Sequence, residues 1–130
     1  MTLLDVLREL HERMQNPENW ICSGICIAVR DQLRTEGQID QWYDDSNMRE
    51  RMYQLFHDWP KFSGSQSFPL LGGAEAYDIW NLNFGHPTDQ KARMWDREKS
   101  PYAALRWELL EWCIAELEKE NGGTTNLPPA

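Results

Sequence analysis

Leu3, Leu7, Leu10 and Met14 recur at intervals of three and four residues, which places them on one side of a helix and predicts that element from about Thr2 to Gln15. Thr2 and Asp5 have the spacing of a capping box, with Asp in place of the usual Glu, and Pro17 ends the run. Ile21, Cys22, Ile25, Cys26, Val29 and Leu33 repeat the pattern and predict a second helix from near Trp20 to Thr35. Its apolar band is broad, so a central place in the core is expected. Gly24 falls inside that helix and lowers its propensity by roughly 1 kcal/mol relative to alanine, for which a close helix crossing would compensate.

The polar run from Glu36 to Ser46 reads as a loop that ends in an N-cap. A third helix follows, with Met48, Met52, Leu55, Phe56 and Trp59 on one side, and Pro60 disfavours helical geometry at Trp59, so the helix stops there. Periodicity is weak from Lys61 to Lys99. Gly72-Gly73 and Phe84-Gly85-His86-Pro87 read as turns, Ala74 to Trp80 as a short helix, and the charged stretch from Asp89 to Lys99 as helical around Met94 and Trp95. Ser100 as N-cap, Pro101 at the first helical position and Gly122 as the stop frame a last helix, whose buried face is read as Tyr102, Leu105, Leu109, Trp112, Cys113 and Leu117. The expected architecture is mainly α: a compact bundle of about four principal helices with a long, aromatic-rich, irregular insertion between the third and fourth. Residues 1–121 are expected to form a single domain and residues 122–130 a flexible tail.

Composition narrows the function classes. Seven Trp, four Tyr and four Phe in 130 residues argue for a packed core, while a mean hydropathy of -0.70 implies a strongly polar surface. No apolar run approaches the roughly 20 residues needed to span a bilayer, and a cytoplasmic location is expected. A formal net charge of -8 opposes general nucleic-acid binding, although a local basic cluster would still accept a small phosphorylated ligand. The odd cysteine count and the lack of any CxxC or paired Cys/His spacing predict reduced core cysteines and neither a metal nor another cofactor.

The segment Trp59-Pro60-Lys61-Phe62-Ser63-Gly64-Ser65 sets aromatic rings among turn-forming residues, a composition suited to recognition on an ordered loop. Trp59, Phe62 or Trp80 would stack on a planar base, Lys61, Arg93, Arg97 or Arg106 would neutralise phosphates, and Ser63 and Ser65 would fix orientation. The competing interpretation is structural: Trp59, Trp107 and Trp112 as core packing, and Arg106 with Glu108 as a helix-surface or structural ion pair. Catalysis is the minority reading. His57 and Asp58 are adjacent on a helix and therefore diverge, and no GxSxG, Walker A or GxGxxG motif is present. A third reading is a protein-binding surface, for which Trp, Tyr and Arg are the usual anchors.

Gly24-Ile25-Cys26, Trp59-Pro60-x-x-Ser63-Gly64, Phe68-Pro69, Ala76-Tyr77 and Tyr102-x-x-Leu105-Arg106-x-Glu108-Leu109-Leu110-x-Trp112 together resemble a family of small uncharacterised accessory proteins of tailed bacteriophages. The resemblance spans most of the chain, with Ala103 where the family has glycine. It implies an accessory phage gene and supplies no catalytic residues. Combined with the aromatic loop, it leads to an expected non-enzymatic protein that counteracts host defence by sequestering a nucleotide-type immune signal. The alternative is an acidic inhibitor that binds a host defence protein directly, with partial DNA mimicry. A homodimer is expected in either case.

Overall fold

A computed structural model describes residues 2–21, 24–37, 46–71, 95–98 and 101–121. Among the described residues there are four principal helices: α1 (Leu3–Arg13), α2 (Ile25–Thr35), α3 (Ser46–Asp58) and, after the four-residue α4 (Phe68–Leu71), the long α5 (Pro101–Glu120). Helix α5 spans about 30 Å at the usual rise and is the axis of the bundle: α1, α3 and α4 all pack against it, while α2 packs on α1 and α4. Among the described residues no helix is long and apolar enough to cross a membrane.

Helix α1 starts as its sequence dictates. The Thr2 N–H donates to Asp5 Oδ2 at 3.0 Å and the Asp5 N–H donates to Thr2 Oγ1 at 3.2 Å, so the capping box is complete with Asp. The donated Thr2 N–H holds the Asp5 carboxyl below its ordinary range. Leu3, Leu7, Leu10 and Met14 are buried as the stripe requires, joined by Leu4 and Val6.

Helix α2 begins at Ile25, later than its apolar pattern suggests. Pro17 starts a 3-10 turn over Pro17–Asn19, and Trp20 leaves it in extended geometry, so the predicted helical start near Trp20 is not taken. Gly24 is consequently the extended N-cap residue and not an interior helix glycine, and no helix crossing is needed to explain it. At the other end Gly37 takes φ 76 and donates its N–H to the Arg34 carbonyl at 3.0 Å, a left-handed cap that glycine adopts without strain. Gln32, buried at the α1–α2 seam, donates to Glu9 and Glu36, and the nearby Glu36 carboxylate raises the Glu9 carboxyl above its ordinary range.

Helix α3 buries Met48, Met52, Leu55 and Phe56, and Trp59 just past its end completes the same face. Pro60 then occupies the second position of a turn closed by the Phe62 N–H on the Trp59 carbonyl at 2.9 Å. In α5 the buried positions are Ala103, Arg106, Trp107, Leu109, Leu110, Cys113 and Leu117. This face is wider and rotated from the predicted one: Leu105 and Trp112 are half-buried, while Arg106 and Trp107 lie inside. Ala103 is fully buried, which favours a small residue there. Cys26 and Cys113 are buried and reduced, and burial pushes both thiols up to about 12, so neither supplies a thiolate near neutral pH.

The predicted turns at Gly72-Gly73 and Phe84 to Pro87, the short helix from Ala74 to Trp80, and the tail 122–130 lie outside the described residues. Of the stretch from Asp89 to Lys99 expected to be helical around Met94 and Trp95, residues 89–94 and 99 lie outside the described residues; Trp95 is helical, and the chain turns after it, where the Asp96 carboxylate accepts the Glu98 N–H at 3.1 Å.

Candidate functional site

The end of α1 leaves carbonyls that the helix itself cannot satisfy, and three side chains cap them. Gln15 Nε2 donates to the His11 carbonyl at 2.9 Å, Asn19 Nδ2 to the Arg13 carbonyl at 2.8 Å and Trp20 Nε1 to the Met14 carbonyl at 2.7 Å. The 3-10 turn thereby folds back under α1, and the half-buried Trp20 indole becomes one wall of a groove.

The opposite wall is the 95–98 segment. Trp95 is fully buried and its carbonyl accepts the Trp107 Nε1–H at 2.8 Å, which ties the segment to α5. The two indoles meet edge to face at a centroid distance of 5.5 Å and an angle of 87°. Arg97 follows in the turn closed by Asp96, with its guanidinium 4.4 Å from the Trp107 ring centroid. The resulting groove has a volume of about 490 Å³. Met14, Gln15, Pro17 and Trp20 line one side, Asp96, Arg97 and Glu98 the other, and Trp95 and Trp107 the floor. Cavities that hold small organic ligands occupy roughly 300–1,000 Å³ and combine apolar walls with a few polar groups.

Electrostatics are set by a short relay. His11 Nε2 lies 2.9 Å from Glu111 Oε2, and Gln15 Nε2 lies 3.3 Å from His11 Nδ1. The same Glu111 oxygen is 4.0 Å from Arg97 Nη1. The His11 ring also meets Trp107 edge to face at 5.5 Å. Arg97, 45 % exposed at its side chain, is thus held by an aromatic face and one distant carboxylate.

The loop residues expected to bind ligand are placed otherwise. Trp59 is 5 % exposed and belongs to the core, because its register continues the apolar face of α3. Phe62 packs edge to face on Phe56 at 5.1 Å and lies 4.9 Å from the His57 ring, so it lids the core instead of offering a stacking face. The Ser63 N–H donates to Ser67 Oγ at 2.8 Å, which closes the loop on itself. Lys61 pairs with Glu108 at 2.6 Å, which also corrects the expected pairing of Arg106 with Glu108. Arg106 is fully buried, and its Nε–H donates to the Leu70 carbonyl at 3.2 Å. Trp80, Arg93 and the Ser65 side chain lie outside the described residues. Of the predicted binding residues, Arg97 lines the groove.

Trp20, Trp95, Trp107 and Gln15 were not assigned to a site by sequence reasoning. The signal available was a proline-started turn carrying Trp20 directly behind α1, and an aromatic followed by a turn at Trp95-Asp96-Arg97-Glu98. A second, shallower depression of about 210 Å³ between α1 and α5 is occupied by the ion pairs Arg8–Glu118 and His11–Glu111 that line it. Cys26 and Cys113 lie in the core away from both, and His57 Nδ1 donates to the Tyr53 carbonyl at 2.8 Å. Among the described residues no group of three or more His, Cys, Asp or Glu side chains is arranged to hold a metal ion. Compared with known proteins, the chain matches no family model, no curated protein and no solved structure.

Proposed function

We propose that this protein binds and sequesters a small planar ligand of nucleotide type in the groove between the α1 terminus and the 95–98 segment. The observation that carries this reading is the pairing of a half-buried indole, Trp20, with a guanidinium, Arg97, across a groove of about 490 Å³. A flat apolar wall and a fixed cation are what a base with an attached anionic group requires. The sequence resemblance to tailed-phage accessory proteins supports the biological context, removal of a nucleotide-type signal used in host defence.

Direct inhibition of a host protein through DNA mimicry fits less well. Imitation of a phosphate backbone needs uncompensated carboxylates along one surface. On α5, Glu108, Glu111, Glu116, Glu118 and Glu120 each face an internal partner: Lys61, His11, Lys119, Arg8 and Arg51.

Sequestration is expected to raise the melting temperature with at least one member of a panel of adenosine, adenosine 5'-monophosphate, cyclic dinucleotides and ADP-ribose. At a concentration a hundredfold above Kd the stabilisation is about 2.7 kcal/mol. The compound should be recovered intact from the denatured protein, and Trp20→Ala, referenced to its own unliganded melting temperature, should lose the effect. Stabilisation by no member of the panel, or an undiminished effect in Trp20→Ala, would refute this site. Recovery of a chemically altered compound would make the protein an enzyme.

A further inference from the structure

We infer that the seam between α1 and α2 carries a proton-operated latch, in which Glu9 and Glu36 share one proton over the buried Gln32 amide and the seam tightens as the pH falls. The latch is independent of the groove and of the ligand proposed for it.

It follows from the use made of one amide. Gln32 is 3 % exposed, and its Nε2 donates to Glu9 Oε2 of α1 at 3.2 Å and to Glu36 Oε1 at the end of α2 at 3.0 Å. Two carboxylates on one nitrogen fall within the roughly 4–6 Å at which like charges disfavour each other. Gln32 Oε1 accepts from Arg13 Nη1 at 3.4 Å, so the amide is held with its donors toward the two acids. An amide offers two N–H donors and no charge, so it gathers the carboxylates without neutralising them.

A proton resolves the conflict. Once one carboxyl is protonated, its O–H donates to the remaining carboxylate in a charge-assisted bond, and the repulsion ends. In keeping with this, the hydrogen bond with Glu36 raises the Glu9 carboxyl above its ordinary range; burial and the charges of Glu36 and Asp5 act the same way, and the Gln32 bond opposes them. From α5, Glu118 and Glu111 face α1 through Arg8 and His11, with which they pair. The residues that follow Glu36, up to Asp45, include Asp40 and Asp44 and no basic side chain.

A carboxyl raised on folding stabilises the fold below its unfolded value and loses that contribution as the pH climbs through the folded one. The Glu9 contribution is therefore present in the ordinary glutamate range and lost above it, toward neutrality. Asp5, lowered chiefly by the Thr2 N–H, has the opposite sign and loses its contribution as the pH falls below the ordinary aspartate range. The two windows are separate. Glu36 is also the C-cap of α2, and its N–H donates to the Gln32 carbonyl at 3.0 Å. Loss of the shared proton thus loosens the last turn of α2.

A ¹³C titration of the glutamate carboxyls in the full chain, with Glu9→Gln for assignment, tests the latch. The Glu9 midpoint is expected above the ordinary glutamate range, and Glu36→Gln should lower it. In urea unfolding from about pH 8 to about pH 5, the folding equilibrium constant of wild type relative to Glu9→Gln should rise as the pH falls. The same ratio measured in the Glu36→Gln background should stay level. Hydrogen-exchange protection of the Glu36 and Gly37 amides, referenced to unfolded-chain rates, should increase over the same interval. A Glu9 midpoint in the ordinary range, a midpoint unmoved by Glu36→Gln, a wild-type ratio that stays level or falls with acid, or unchanged protection would each overturn the inference.

Discussion

Replacing Trp107 by alanine is expected to destabilise the protein by about 3–5 kcal/mol, in the range for buried aromatic truncations. The indole is 2 % exposed and sits against the His11 edge, the Trp95 edge and the Arg97 guanidinium. Its Nε1–H is the donor to the Trp95 carbonyl. Truncation therefore opens a cavity in α5 and releases the tie that holds the 95–98 segment on the bundle. Typical domains are stable by about 5–15 kcal/mol, so the loss is a large share of the total, and the melting temperature should fall by roughly 10–20 °C. Trp107→Phe separates the two contributions: it keeps most of the ring contact, leaves the buried Trp95 carbonyl without this donor, and should lose about 1–3 kcal/mol. Urea unfolding of both variants measures the difference. A Trp107→Ala variant within 0.5 kcal/mol of wild type, the usual range of a neutral surface change, would contradict the packing described for α5.

The second large effect is expected at Arg106. A fully buried arginine on the central helix, donating to the carbonyl that ends α4 near Leu70 and lying 5.5 Å from the Trp95 ring centroid, joins α4, α5 and the 95–98 segment. Arg106→Ala removes the donor and leaves a void, with an expected loss of about 2–5 kcal/mol. Arg106→Met refills the space with an apolar chain and should lose less than Arg106→Ala, because it restores the packing while still leaving the Leu70 carbonyl without this donor. Because Arg106 does not line the groove, ligand affinity of the folded Met variant should match wild type. An equal loss in the two variants would mean that the hydrogen bond outweighs the packing, and a changed affinity would place Arg106 in the site after all.

The elements were readable where local rules decide them. Thr2 and Asp5 set the start of α1 through contacts three residues apart, and Pro60 ends α3 through its own ring. Helix α2 was misjudged at its start because the apolar spacing of Ile21 and Cys22 continues that of Ile25 and Cys26, whereas Pro17 and the Trp20 bond to Met14 divert the chain. The wide buried face of α5 has a different cause. It receives neighbours on several sides, so burial extends to Arg106 and Trp107, and an amphipathic pattern is lost.

The groove was not legible for a related reason. Its walls are 75 or more positions apart in sequence, Trp20 against Trp95 to Glu98, and their meeting depends on the bond from Trp107 to Trp95. Aromatic rings beside turn residues carry no mark of direction. Trp59 and Phe62 turn inward because the reversal at Pro60 folds the chain back over α3, while Trp20 turns toward the groove because its indole N–H finds the carbonyl of Met14, the C-cap of α1. Arg97 was recognisable as a phosphate partner from its charge, but its aromatic support was not.

The central claim is that recognition takes place at the Trp20–Arg97 groove and not at the Trp59 loop. Two-dimensional ¹H–¹⁵N spectra of the seven indole N–H groups, assigned by single Trp→Phe substitutions and recorded while adenosine 5'-monophosphate is added, address it directly. The account predicts the largest shift at Trp20 and a stationary Trp59 signal. A moving Trp59 signal with Trp20 unchanged, or no indole response at saturating nucleotide, would contradict it.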